Sequence, residues 1–154
     1  MRNRGLMILG FVIAYPVATF LAVLSLVATQ AMKGNESRVG LLLGYTFGWA
    51  VLFGVAGALP RLVASDATKS DPAAMSAAKA NLFGFGVGGG VAGGLIGLLI
   101  VIGHLGGSAG AVLGGFAIPL TVPWIFGVLL SRWFLIRIRQ SGPPRHFIDP
   151  WSRD

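Results

Sequence analysis

The sequence predicts an all-α integral membrane protein: four transmembrane helices packed as a bundle, both termini in the cytoplasm, and a short cytoplasmic C-terminal tail. Three observations lead there. Of the 154 residues 55% are apolar and only 11% are charged, against about a quarter charged in soluble domains. The mean hydropathy is +0.78. The charged residues fall between four long apolar runs and not within them, which is how a chain looks when its solvent is a bilayer.

The first run extends from Leu6 to Ala31 without one ionisable side chain, where about 20 residues suffice to cross the hydrocarbon core. Arg2 and Arg4 precede it as they would in a secretory signal peptide, but such a peptide has an apolar stretch of only about 7 to 15 residues. An uncleaved first span over residues 6–31 is predicted, kinked near its middle where Pro16 removes a backbone hydrogen bond. The second span covers residues 39–59. It follows the short polar stretch Lys33 to Arg38, which makes a tight helical hairpin, and its far end is marked by Pro60 and Arg61.

The longest loop, Val63 to Asn81, contains Asp66, Lys69, Asp71 and Lys79. Within it Asp71-Pro72, followed by alanine-rich sequence, reads as an N-cap with proline in the first turn, so the third helix starts before it enters lipid. The third span, about residues 82–103, is crowded with glycine. A turn from His104 to Gly110 leads to the fourth span, about 111–131, in which Pro119 and Pro123 bend or loosen the backbone. From Arg132 to Gln140 bulky apolar and basic residues alternate, as in a helix leaving the membrane through the headgroup zone. Residues 1–140 thus form the membrane domain, and 141–154, with Gly142-Pro143-Pro144, an extended tail.

Orientation follows from the basic residues. Ten of the 12 Lys and Arg lie on the side shared by the N-terminus, the middle loop and the C-terminal segment, and the cytoplasmic side keeps the excess. Both termini are therefore expected in the cytoplasm. Abundant Ala, Gly and Arg point to a GC-rich bacterium, hence to the inner membrane. The formal charge of +7 comes with no nucleic-acid recognition motif and is explained by orientation and anionic headgroups. The lack of cysteine excludes disulfides, thiolate metal sites and cysteine nucleophiles.

Glycine makes the most conspicuous pattern. Gly40, Gly44 and Gly48 recur every fourth residue in the second span, and Gly86, Gly90 and Gly94 run beside Gly89, Gly93 and Gly97 in the third. Such stripes let helix backbones approach closely, with dispersion and weak Cα–H···O contacts between them. Two stripes on one helix imply two neighbours, and the third helix is expected inside the bundle. Gly84-Phe85-Gly86-Val87-Gly88-Gly89 matches the dinucleotide-binding spacing but lacks the preceding strand and the acidic residue that bind a cofactor. No cofactor is expected.

The apolar runs hold no Asp, Glu, Lys or Arg, whereas proton-coupled transporters and pumps need such groups as relays. Thr19, Ser25, Thr29, Thr46 and Thr121 are expected to bond to their own helix carbonyls. His104 and His146 stand apart from other metal-ligating side chains, so no metal site is read from them. Asp66 and Asp71, with Lys69 between them, look like solvated turn and cap residues. No catalytic constellation is present in the sequence, and an enzyme is not expected.

The C-terminal segment supplies interface anchors, Arg132, Trp133, Arg137 and Arg139. Beyond it Phe147, Ile148 and Trp151 form an apolar cluster in a polar tail, suited to docking on a protein partner. Together these features suggest a non-catalytic small subunit that assembles with or stabilises a larger membrane complex, with membrane proteins, further copies of itself, and lipids as partners. The alternative is a small homo-oligomeric channel or transporter with the proline-bearing helices as gates.

Overall fold

A computed structural model describes residues 2–31, 38–64, 72–102 and 108–140. They form four α-helices in chain order: α1 Arg2–Ala31, α2 Arg38–Ala64, α3 Pro72–Val101 and α4 Ser108–Gln140. The helices have 27 to 33 residues, hence lengths of about 40–50 Å at ~1.5 Å per residue, more than a hydrocarbon core of ~30 Å requires. Each contains a stretch long and apolar enough to span a membrane: Gly5–Ala28, Arg38–Ala64, Met75–Val101 and Phe116–Ile138. The chain is an all-helical, multi-pass membrane protein with four such helices.

Two helix boundaries differ from the expectation. α2 does not stop at Pro60 but runs through it to Ala64. Proline lacks the amide hydrogen that would bond to the Ala56 carbonyl, a loss that usually ends or bends a helix. Here Pro60 is buried against α1, where a Cβ added to Gly10 would lie 3.2 Å from the proline Cα. Packing at that contact holds the last turn of the helix in place. α4 begins earlier than the apolar run, at Ser108. The start of α3 at Pro72 agrees with proline in a first helical turn, where its missing N–H would have had no partner anyway. The proposed cap Asp71 lies outside the described residues.

α3 occupies the middle of the bundle. It is the most buried of the four spans, and its packing against α2 and α4 is far more extensive than that of α1 against α2, while the contact between α1 and α4 is slighter again. Neighbours run antiparallel: Gly10 of α1 lies by Pro60 of α2, Gly54 of α2 by Leu82 and Gly86 of α3, and Gly88 of α3 by Pro123 of α4. The starts of α1 and α3 and the ends of α2 and α4 therefore share one end of the bundle. The basic positions 2, 4, 61, 79, 132, 137 and 139 all belong to that end; among the described residues only Arg38 belongs to the other.

The core is aromatic. Phe85 of α3 is 3% exposed and sits between two glycines on different helices, since a Cβ on Gly57 of α2 would fall 2.6 Å from its ring and one on Gly127 of α4 would also collide with it. From α1, Phe11 meets the Phe85 ring edge-on at 5.3 Å and Tyr15 does so at 6.2 Å. One side chain thus touches all three other helices. Tyr15 also packs on Phe53 at 5.6 Å, and the series Tyr45, Trp49, Phe53 continues along α2 in edge-to-face contacts of 5.8 and 6.2 Å, the geometry that ring quadrupoles favour.

The few polar side chains in the spans serve the backbone. Thr19, Thr46 and Thr121 donate to the carbonyls four residues earlier at 3.0, 2.8 and 2.6 Å, as expected for hydroxyls inside helices. Ser25 donates to the Ala22 carbonyl at 2.6 Å but also accepts from Trp49 Nε1 at 3.1 Å, and Tyr45 donates to the Ser25 carbonyl at 3.1 Å. These bonds tie α1 to α2. Tyr15 makes the corresponding link to α4: because Pro123 has no N–H, the Pro119 carbonyl loses its helical partner, and the Tyr15 hydroxyl lies 3.4 Å from that carbonyl and donates at 2.8 Å to the next one, Leu120. Asn81 repeats the device near Pro60, donating to the Gly57 carbonyl at 3.0 Å.

Candidate functional site

The glycines fall into three sets by what a side chain added to them would meet. The first set faces backbone within the bundle. A Cβ on Gly89 would collide with the Trp49 carbonyl, one on Gly93 with the Tyr45 carbonyl, and one on Gly97 would lie 3.1 Å from Leu42 Cα. Gly84 and Gly88 press against Ser131 and Pro123 of α4 in the same way, and Gly54 on α2 lies within 3.0 Å of the Leu82 carbonyl by the same measure. α3 thus uses opposite sides for two neighbours, with Gly89, Gly93 and Gly97 against α2 and Gly84 and Gly88 against α4.

The second set, Gly86, Gly90 and Gly94, lies at the outer edge of the α2·α3 contact and is half-buried. A Cβ there would meet Ala50 and Thr46 at 3.3 to 3.5 Å, ordinary or slightly tight contact. These small residues leave a lateral groove of about 410 Å³, walled by Phe47, Val51 and Val55 of α2 and by Phe83 and Val87 of α3, with Gly86 and Gly90 in its floor.

The third set is the stripe Gly40, Gly44 and Gly48, all exposed. Around Gly44 and Gly48 an added Cβ would find nothing within 4 Å. The close packing that their spacing suggests is not made within the described chain. Their face of α2 continues into Val51 and Val55, so the bare stripe and the groove adjoin.

The interface residues Arg132, Trp133 and Arg137 lie on the outside of the last turns of α4, at the basic end of the bundle. The Arg137 guanidinium stacks 5.0 Å over the Trp133 ring, one helical turn away, and Trp133 contacts Phe134 at 5.0 Å. The Arg139 side chain lies outside the described residues, as do His104, His146, Asp66, Asp71 and the tail cluster Phe147, Ile148 and Trp151. Among the described residues no three His, Cys, Asp or Glu side chains come together as a metal site would require. The dinucleotide-like glycine run lies in the middle of α3, where Gly84, Gly88 and Gly89 are closed off by α4 and α2.

Reading by spacing missed Gly54, Gly57 and Gly127, which make closer contacts than Gly44 or Gly48. The signal available was complementarity: an isolated glycine on two helices and one bulky aromatic on a third. That signal is visible only once the register between helices is known.

This geometry defines a class, a multi-pass helical membrane protein whose outer surface carries a preformed concave apolar face. No protein-family model, curated protein or solved structure matches the chain.

Proposed function

We propose that this chain is a non-catalytic subunit of a larger membrane assembly, and that it docks through the outward face of α2 and the groove beside it. The observation that carries the reading is the exposure of Gly44 and Gly48 with nothing against them. A glycine inside a helix costs about 1 kcal/mol relative to alanine. At Gly89 and Gly93 close backbone packing offsets that cost, whereas at Gly44 and Gly48 nothing among the described residues does. A partner helix laid on the stripe supplies the missing dispersion contacts, and the adjacent groove gives it a place for a bulky side chain.

On the positive-inside rule, the basic end of the bundle faces the cytoplasm, with both termini there, in a bacterial inner membrane. The tail residues Phe147, Ile148 and Trp151 then add a second, cytoplasmic contact to the same assembly.

The test uses the tagged full-length protein purified from native membranes in a mild detergent, with stoichiometric chains identified by mass spectrometry. Gly44→Leu and Gly48→Leu should release a co-purifying membrane protein while the subunit keeps its own fold. Full retention of that protein by both variants would overturn the docking face. Recovery of copies of this chain alone, together with solute flux after reconstitution in liposomes, would replace the subunit reading by a homo-oligomeric channel or transporter.

A further inference from the structure

A second concavity, unrelated to the α2 face, opens between α1 and α4 at the basic end of the bundle. It measures about 340 Å³, roughly ten times the ~30 Å³ share of one water molecule. Its walls are Met7, Ile8, Phe11 and Val12 of α1 with Trp124 and Val128 of α4, and its floor is Pro60 and Phe85. Ile8, Val12 and Trp124 at the rim are 60%, 61% and 50% exposed, so the cleft is open sideways, where the contact between α1 and α4 is slight.

Its polar end is built from four side chains on three helices: Arg61 of α2, Asn81 of α3, and Ser131 and Arg132 of α4. Ser131 is only 8% exposed, and its hydroxyl has no hydrogen-bond partner. That hydroxyl faces the Gly84 backbone of α3, so Ser131 belongs to the wall of the cleft, and the groups left to meet a ligand there are the two guanidiniums and the Asn81 amide.

We infer that this cleft binds one anionic phospholipid, with the headgroup phosphate held by Arg61 and Arg132 and an acyl chain along Phe11, Phe85 and Val128. Guanidinium groups suit phosphate because their donors match its oxygens in pairs. The apolar walls select a lipid over a free phosphate ion. A protein helix, about 10 Å across, does not fit a space of this volume. The cleft's place also suits a lipid: the two arginines stand where α2 and α4 leave their apolar stretches, at headgroup depth, with the apolar walls extending inward from them.

The experiment is native mass spectrometry of the full-length protein in nonionic detergent, offered phosphatidylglycerol and phosphatidylcholine with identical acyl chains. Retention of phosphatidylglycerol should exceed that of phosphatidylcholine by about 25-fold, two basic residues at ~1 kcal/mol each. Arg61→Gln and Arg132→Gln should each lower that retention about fivefold, the worth of one basic residue beside anionic lipid, and the double variant should hold both lipids equally. Arg137→Gln removes the same charge from the same end but outside the cleft, and should change retention by less than about twofold. Arg61→Lys and Arg132→Lys keep the charge and lose the paired donors, so they should fall between the wild type and the glutamine variants.

Equal losses in Arg137→Gln and Arg61→Gln would mean diffuse surface charge and overturn the site. So would equal retention of the two lipids by the wild type. Displacement of phosphatidylglycerol by millimolar inorganic phosphate would show that a free anion, not a lipid, is bound.

Discussion

The two sides of the bundle are built on different principles. Between α2 and α3 the helices approach until backbone touches backbone, through Gly54, Gly89, Gly93 and Gly97. Between α1 and α4 the contact is slight, held by the Tyr15 hydroxyl on the carbonyls of Pro119 and Leu120, and a cleft remains beside it. In lipid there is no hydrophobic drive between helices, so the tightness of each pair depends on shape. Glycine against backbone gives a rigid seam that tolerates no added atom. An aromatic side chain spanning a gap, with one hydrogen bond at its tip, gives a seam that leaves room for something else.

That contrast can be broken most severely at Gly93. A leucine there meets the Tyr45 main chain, which cannot rotate away as a side chain can, so α2 and α3 must separate. Gly93→Leu should lose about 3 kcal/mol or more, the upper range for overpacking, read as a collapse of the folded fraction in detergent unfolding. Gly90→Ala, one turn away at the rim, should be neutral or slightly stabilising, because its added methyl would find Ala50 Cβ at 3.4 Å. Equal damage from both would contradict the distinction between the inner and outer glycine series.

Phe85 is where the two kinds of seam meet, and Phe85→Ala should cost about 2 kcal/mol. That is the order of a cavity term alone, since removing an apolar group in lipid forfeits packing and not a transfer free energy from water. Both the α2·α3 and the α1·α4 contacts should loosen together, which double electron–electron resonance between labels at Val12 and Ile125 would register as a broader distance distribution.

Tyr15→Phe keeps the ring contacts and deletes only the hydroxyl. Interhelical hydrogen bonds in membranes are worth about 0.6 kcal/mol on average, so the global stability should fall by roughly that amount. The effect should be confined to the α1·α4 seam, seen as faster amide exchange in α4 around Pro119 to Trp124. A loss as large as that of Phe85→Ala would mean that the hydrogen bond, and not the aromatic cluster, holds α1 in place.

The smallest loss to the fold is expected at Gly44. With nothing within 4 Å of an added Cβ, Gly44→Leu should cost the monomer no stability and should return at most the ~1 kcal/mol that glycine costs inside a helix. Any loss should appear only in association.

The sequence by itself determined the solvent and the count of helices. Four apolar runs without a charge have one stable form in a bilayer, because every backbone N–H and C=O must be satisfied within the segment. It also determined the local behaviour of Thr19, Thr46 and Thr121, whose partners are carbonyl groups of their own helix one turn back, in reach without any neighbour. What it left open was which glycines pack. Gly44 and Gly93 have the same four-residue spacing and apolar surroundings, yet one faces outward and the other lies against the Tyr45 carbonyl.

Only the tertiary structure decided that difference, because the facing of a stripe depends on how its helix is rotated against its neighbours. A nearly uniform apolar helix carries no polar side to set that rotation. The passage of α2 through Pro60, the seating of Phe85 between Gly57 and Gly127, and the meeting of Arg61 with Arg132 around one cleft are decided there too. Each joins residues far apart in the chain, through shape complementarity that no spacing along one helix encodes.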